Sequence, residues 1–218
     1  MENNNGFVIS FSCGKDSNLA YYRMVKAGYE PRALVVMYNA GEGRSWFHGV
    51  TDTMLDEAAH SLGLPLYKVP SIGNDYHTTL EEALKQARED TGAAYCVFGD
   101  IDIEDHRVWG TERAENAGLI PLFPLWQQDR EALVHAFVDA GFKAVIKIVD
   151  TTQLSEEFLG CEITKELAAR IKAAGADPCG ENGEYHTMVY DGPIYGHPIP
   201  VLKGKRFMMG HHAILDLG

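Results

Sequence analysis

FVISFSCGKDS (7–17) is a short apolar, β-branched run that breaks into a small polar turn. Downstream, Leu19, Tyr22 and Val25 recur at i, i+3 spacing, which predicts a helix. Gly28 is a natural stop for it. A strand, a turn and a helix in that order aim the turn's N–H groups and the unpaired N–H groups of the first helical turn at one point. The positive helix end adds to that field, so the point attracts anionic oxygens. Gly14 permits close approach or an unusual backbone angle, and Lys15 brings a mobile positive charge. Ser12 and Ser17 can donate from their hydroxyls, and Asp16 is a candidate Mg²⁺ ligand. The turn is not a Walker A loop, which needs Gly where Ile9 stands and Ser or Thr where Asp16 stands. Cys13 has no visible base or resolving partner, so it reads as a substitute for glycine, not as a nucleophile.

Around this turn the first hundred residues alternate strand and helix patterns. RALVVMY (32–38), LYKV (66–69) and AYCVFGD (94–100) read as strands. Val50 to Leu62 repeats apolar residues at helical spacing through Met54, Leu55, Ala58 and Ala59. Thr79 is placed to cap a helix burying Leu80, Ala83, Leu84 and Ala87. Such alternation with short, continuously apolar strands predicts an α/β fold whose parallel sheet carries helices on both faces. The second half is less regular. Helices are expected from Glu104 toward Ala117, from Asp129 to Ala140, and from Thr164 to Ala174, with a strand at KAVIKIV (143–149). Two prolines in PLFPLW (121–126) rule out a continuous helix there. The expected organisation is a nucleotide-type lobe over 1–100 and a smaller α+β lobe over 101–218.

Of 218 residues, 45% are hydrophobic and 23% charged, enough to build a core without disulfides or a structural metal. The four cysteines, Cys13, Cys96, Cys161 and Cys179, form no CxxC pair and read as reduced thiols of a cytoplasmic protein. The N-terminal residues lack the basic and apolar regions of a signal peptide, and no run is long enough to span a bilayer. A formal net charge of −12 disfavours a nucleic-acid partner, and the only basic cluster is Lys203, Lys205 and Arg206.

SCGKDS resembles the SGGKDS loop of the N-type ATP pyrophosphatases, with Cys13 in place of the first Gly. SWFH (45–48), GDI (99–101), HR (106–107), PLFPLW (121–126), FLG (158–160) and CGENGEYHT (179–187) follow in the order found in the diphthine–ammonia ligase family. The resemblance implies an adenine-nucleotide α-hydrolase fold and a C-terminal substrate lobe. It also implies ATP with Mg²⁺, adenylation of a small-molecule carboxylate with loss of pyrophosphate, and amide formation with ammonia. One motif departs from that pattern. Where the ligases resemble EGGE(F/Y)E(T/S), this chain has Glu181-Asn182-Gly183-Glu184-Tyr185-His186-Thr187, which resembles a branch associated with corrinoid salvage.

The remaining candidates sit at strand ends, where ligands bind in open parallel sheets. Asp100 is expected beside the nucleotide or its metal, and His106 and Arg107 against a carboxylate or the departing pyrophosphate. Met37 is placed to pack on adenine with its backbone at the ring edge, and His48 to face the α-phosphate or the acceptor. Gly41 and Gly43 suggest a segment that closes on the nucleotide. Trp46 and Phe47 read as packing between lobes, and His211 and His212, as strand neighbours, read as non-ligands. If Glu184 opens a strand, it shares a face with His186, and the pair can hold ammonium and take its proton. Lys15, Asp100, Glu184 and His186 are thus the catalytic candidates, with Glu181, Asn182 and Gly183 selecting the acceptor. Two other functions fit the loop. A tRNA-thiolation enzyme needs a basic surface and paired cysteines, and a non-catalytic nucleotide sensor has no need of the acidic second loop. A homo-oligomer is compatible with the sequence.

Overall fold

The structure is a computed structural model that describes residues 4–46, 48–72 and 75–218. Strand β1 (Gly6–Ser10) lies in the middle of the first sheet, between β2 (Glu30–Asn39) and β5 (Tyr95–Val97), parallel to both. Beyond β2 lies β4 (Leu66–Ser71) and beyond β5 lies β6 (Ile120–Leu122), also parallel. A two-residue strand, β3 (Arg44–Ser45), pairs antiparallel with Tyr38 and Asn39 of β2. β4 already occupies one edge of those residues, so β3 takes the edge that β1 has vacated.

The side chains of β1 alternate between two cores. Phe7 and Ile9 join α1 (Lys15–Lys26) and α2 (Asp52–Leu62) on one face. Val8 joins α3 (Tyr76–Thr91) and α4 (Glu104–Asn116) on the other. A strand buried on both sides must read as an unbroken apolar run, which is why FVIS has no polar residue until its end.

The second sheet is antiparallel, in the order β8 (Tyr185–Asp191), β7 (Lys143–Asp150), β10 (His212–Leu217), β9 (Lys203–Met209). α5 (Arg130–Asp139) and α6 (Lys165–Ala173) accompany it, capped by Asp129 and Thr164, whose side chains accept from Ala132 N and Leu167 N. Its core is continuous with the face of the first sheet that carries α1 and α2. Val189 N also donates to Cys13 O at 2.9 Å, tying β8 directly to the turn after β1. Among the described residues no helix is long and apolar enough to cross a membrane.

Three local expectations change. In α1 the inward residues are Leu19, Ala20, Tyr21 and Met24, while Val25 is 38% exposed. The first sheet and β8 both press on this helix, so the buried face is wider than an i, i+3 stripe. Helix α3 begins at Tyr76 with Asp75 as its cap, and Thr79 lies within the helix, its hydroxyl donating to Asp75 O. His211 lies in the tight turn before β10, next to Gly210 at φ +62°, and not in a strand. The His211 and His212 rings therefore stand 4.2 Å apart, beside Asp150.

Lys147 on β7 is fully buried, and its ammonium has no hydrogen-bond partner among the described residues. Burial, with Arg44 nearby, pulls its pKa down to about 8. The unfolded chain therefore binds this proton more readily between pH 8 and 10.5, so Lys147 costs stability below that window and stops costing it above. Lys147→Met is expected to stabilise the protein at pH 7 by roughly 3 kcal/mol. Urea unfolding at pH 7 and pH 10 should show that gain shrinking as the pH rises. An equal difference at both values would contradict the buried charge.

Candidate active site

The loop 11–14 joins β1 to α1 and, with the first turn of α1, shapes one wall of a cleft of 820 Å³. Cys13 adopts φ 60°, the left-handed region that costs an L-residue about 1 kcal/mol and that glycine enters freely. Its side chain is fully buried, and burial pushes the thiol well above its ordinary range, which suppresses the thiolate. Gly14 is needed for contact: a Cβ there would lie 2.4 Å from His48 Cε1. Gly99, after β5, has a similar constraint, since a Cβ would meet Ser17 N at 2.9 Å and Asp16 C at 3.0 Å. The loop and the end of β5 therefore touch backbone to backbone.

Lys15 is 5% exposed, and its ammonium donates to both Asp16 oxygens, at 3.0 and 2.8 Å. The Tyr185 ring lies 5.5 Å from the same nitrogen. Burial disfavours the charge, but Asp16 outweighs it and the pKa stands well above the ordinary lysine value. Lys15 N donates to Thr187 Oγ1 at 3.0 Å, so β8 braces the start of α1. The hydroxyls of Ser12 and Ser17 are 3.1 Å apart.

The opposite wall is the segment 180–187. Gly180, Glu181, Asn182, Gly183, Tyr185, His186 and Thr187 all line the cleft. Glu184 does not. It is buried, and its carboxylate accepts from Asp177 N, Asn182 N and Asn182 Nδ2. It shapes the loop from inside. Arg130 does so from outside, bridging Asp102 at 2.6 Å and Asp177 at 2.5 Å and donating to Asn182 Oδ1 at 3.2 Å. The carboxyl of this segment that faces the cleft is Glu181, whose pKa is raised to about 7 by burial and by Asp16, with Lys15 opposing.

His48 and His186 meet with ring centres 4.9 Å apart. Burial lowers the first to about 4 and the second to about 3, so both rings are neutral at pH 7. His48 Nδ1 lies 2.8 Å from Thr187 O; a carbonyl only accepts, so this nitrogen carries the proton. Asp100 lines the cleft 3.5 Å from His106 Nδ1, an arrangement that raises the His106 pKa. Arg107 falls outside the lining. On α4, His106 and Trp109 share the cleft face, and Arg107 is rotated off it into an ion pair with Glu104 and a contact of 5.2 Å with the Trp126 ring.

The far end of the cleft is aromatic. Met37, Trp46, Tyr76, His77 and Trp109 come from β2, the segment after β3, α3 and α4. Met37 contributes its side chain, while its carbonyl accepts from Trp46 N at 3.1 Å. Trp46 is thus a cleft wall as well as a packing residue, and its buried Nε1 has no hydrogen-bond partner among the described residues. Phe47 lies outside the described residues. The sequence reading missed Tyr76, Trp109, Gly99 and Arg130. A Gly before Asp100 at a strand end was the one available signal; the others come together only through folding.

The fold and cleft define a class: an α/β protein of the PP-loop type, with a strand–turn–helix facing a polar loop that leads into the second sheet. Family models described as diphthamide synthase N-terminal domain and diphthamide synthase C-terminal domain match residues 6–121 and 129–217. The chain belongs to the diphthamide synthase family. It is similar to proteins named diphthine–ammonia ligase from Danio rerio (27% identical, covering 95% of this chain and 90% of the relative) and Homo sapiens (26%, 87% and 80%). It is also similar to the one from Schizosaccharomyces pombe (27%, 84% of this chain), of which it spans 34%. A solved structure described as a predicted subunit of tRNA methyltransferase from Methanocaldococcus jannaschii aligns at TM-score 0.44 with 16% identity, covering 86% of this chain and 97% of that one.

Proposed function

We propose that the protein is an ATP-dependent amide ligase that adenylates a carboxylate and joins it to ammonia. The observation that carries this reading is the shared cleft. The SCGKDS loop and Glu181 face one space, so an acid held there can reach the triphosphate and an amine base together. The cleft fits the nucleotide. Lys15 and the N–H groups of Asp16 and Ser17 at the head of α1 suit phosphates, while Gly14 and Gly99 let His48 and the start of α1 pack close around them. The aromatic end, with the unpartnered Trp46 Nε1, suits a purine. Asp16 and Asp100 are the carboxylates placed for Mg²⁺, which would offset charge on the triphosphate.

The acceptor carboxylate oxygen attacks the α-phosphorus, and the bond to the bridging oxygen breaks as pyrophosphate leaves. Lys15 and the loop N–H groups hold the departing charge. Ammonia then attacks the acyl carbon, AMP leaves, and Glu181 takes the surplus proton; with a pKa of about 7 it is suited to that task near neutral pH. Neutral His48 and His186 lay uncharged ring surface beside the acceptor. Where the related motif has Glu, this chain has His186, which removes a negative charge that would favour a cationic side chain such as diphthine. That difference, with Asn182 and Gly183 at the same wall, favours another acid, for which a corrinoid acid is the first candidate.

The test is to incubate the protein with ATP, Mg²⁺, ammonium and either diphthine-bearing protein or corrinoid acids, and to separate the nucleotides by chromatography. AMP and pyrophosphate that appear only with an acceptor support the reading. ADP and phosphate as the sole products, or no turnover with any carboxylate, would refute it.

A further inference from the structure

Glu57 and His60 lie one helical turn apart on α2, so both project from the same face. His197, in the segment between β8 and β9, stands over that face. Its Nε2 is 2.9 Å from Glu57 Oε1, and its ring centre is 5.3 Å from that of His60. One ligand atom from each of the three lies within 4.8 Å of the others. None of the three lines the cleft.

The segment that delivers His197 is fixed from below. Ser61, next to His60, donates from its hydroxyl to His197 O at 2.5 Å and accepts from His197 N at 3.1 Å. Gly196 N donates to Ser61 O at 2.8 Å, and a Cβ on Gly196 would lie 3.0 Å from that same oxygen. Three hydrogen bonds, two of them through the Ser61 hydroxyl, and a glycine thus clamp the chain at the residue before His197 and at His197 itself. The backbone positions of the three side chains are set before any ligand arrives.

We propose that Glu57, His60 and His197 form a binding site for a divalent transition-metal ion of the zinc class. Two imidazoles and one carboxylate suit a borderline ion of tetrahedral preference. The set is too poor in oxygen for Ca²⁺ or Mg²⁺. Zinc–ligand distances of about 2.0–2.1 Å place neighbouring ligand atoms roughly 3.3 Å apart, so the Glu57–His197 contact opens by a few tenths of an ångström as the ion enters. Both side chains are partly exposed and free to make that adjustment. The fourth position is left to water. Because the ligands join α2 to the segment that follows β8, the ion acts as a clamp between the two lobes and takes no part in the chemistry of the cleft.

The experiment is a titration of chelator-treated full-length protein with Zn²⁺ against a chromophoric competitor, with thermal unfolding followed in parallel. The wild type is expected to bind one ion more than His60→Ala or His197→Ala, with affinity at that site falling about 100-fold or more in either variant. Zinc should raise the melting temperature of the wild type and leave both variants unmoved. Co²⁺ in place of Zn²⁺ should give a visible spectrum without a thiolate charge-transfer band. Each variant in metal-free form should melt close to the wild type, since both histidines are exposed. Equal stoichiometry and affinity in wild type and variants would overturn the proposal by moving the binding elsewhere, to Asp150, His211 and His212 or to a thiol. A thiolate band would do the same, and so would a wild type that binds no zinc.

Discussion

Lys15→Ala is expected to lower turnover about 10³-fold and to weaken nucleotide binding. The ammonium is nearly enclosed, held by Asp16 at 2.8 Å, and fully charged at working pH because that carboxylate outweighs the cost of burial. When an anion enters, the lysine can turn from Asp16 to the phosphate without crossing solvent. Removing it takes away the charge that receives the phosphate and leaves Asp16 to repel it. Lys15→Arg keeps the charge but must fit a wider group beneath Tyr185, so it should recover only part of the loss. Nucleotide affinity by calorimetry and turnover by pyrophosphate release check both expectations. Unchanged values in Lys15→Ala would remove the loop from the nucleotide site.

Glu181→Gln is expected to reduce amide formation about 10²-fold while sparing nucleotide binding. The Glu181 carboxyl titrates near pH 7, so a base role gives a rate that rises as pH passes through that value and levels above it. Glutamine keeps the shape and cannot take a proton, so that limb of the profile should vanish. Glu184→Gln should behave differently. Its carboxylate accepts three hydrogen bonds inside the loop, and the amide has a donor face where an acceptor is required. Its main effect should be on stability and on both substrates together. The assignment of the base to Glu181 fails if Glu181→Gln keeps the wild-type pH profile, or if Glu184→Gln alone abolishes amide formation with intact stability.

The sequence by itself determined whatever depends on short-range periodicity and local backbone chemistry. The short, β-branched FVI ahead of a polar turn reads as a strand buried on both faces, and β1 lies between two parallel neighbours with its residues in two separate cores. The helix start within SCGKDS, the left-handed stop at Gly28 and the cap at Thr164 are written in single residues. Tertiary structure decided which polar groups face the cleft. Glu181 and Glu184 stand three residues apart in one loop, and nothing local says which carboxylate turns inward. That depends on Arg130, some fifty residues earlier, pinning Asp177 and Asn182 so that the loop closes around Glu184 and presents Glu181. The aromatic wall is likewise assembled from Trp46, Tyr76 and Trp109, which meet only because three connections return to the same edge of one sheet. Periodicity reports how a residue relates to its own element, whereas a site depends on the distance between elements, and that distance is set by the packing of the whole chain.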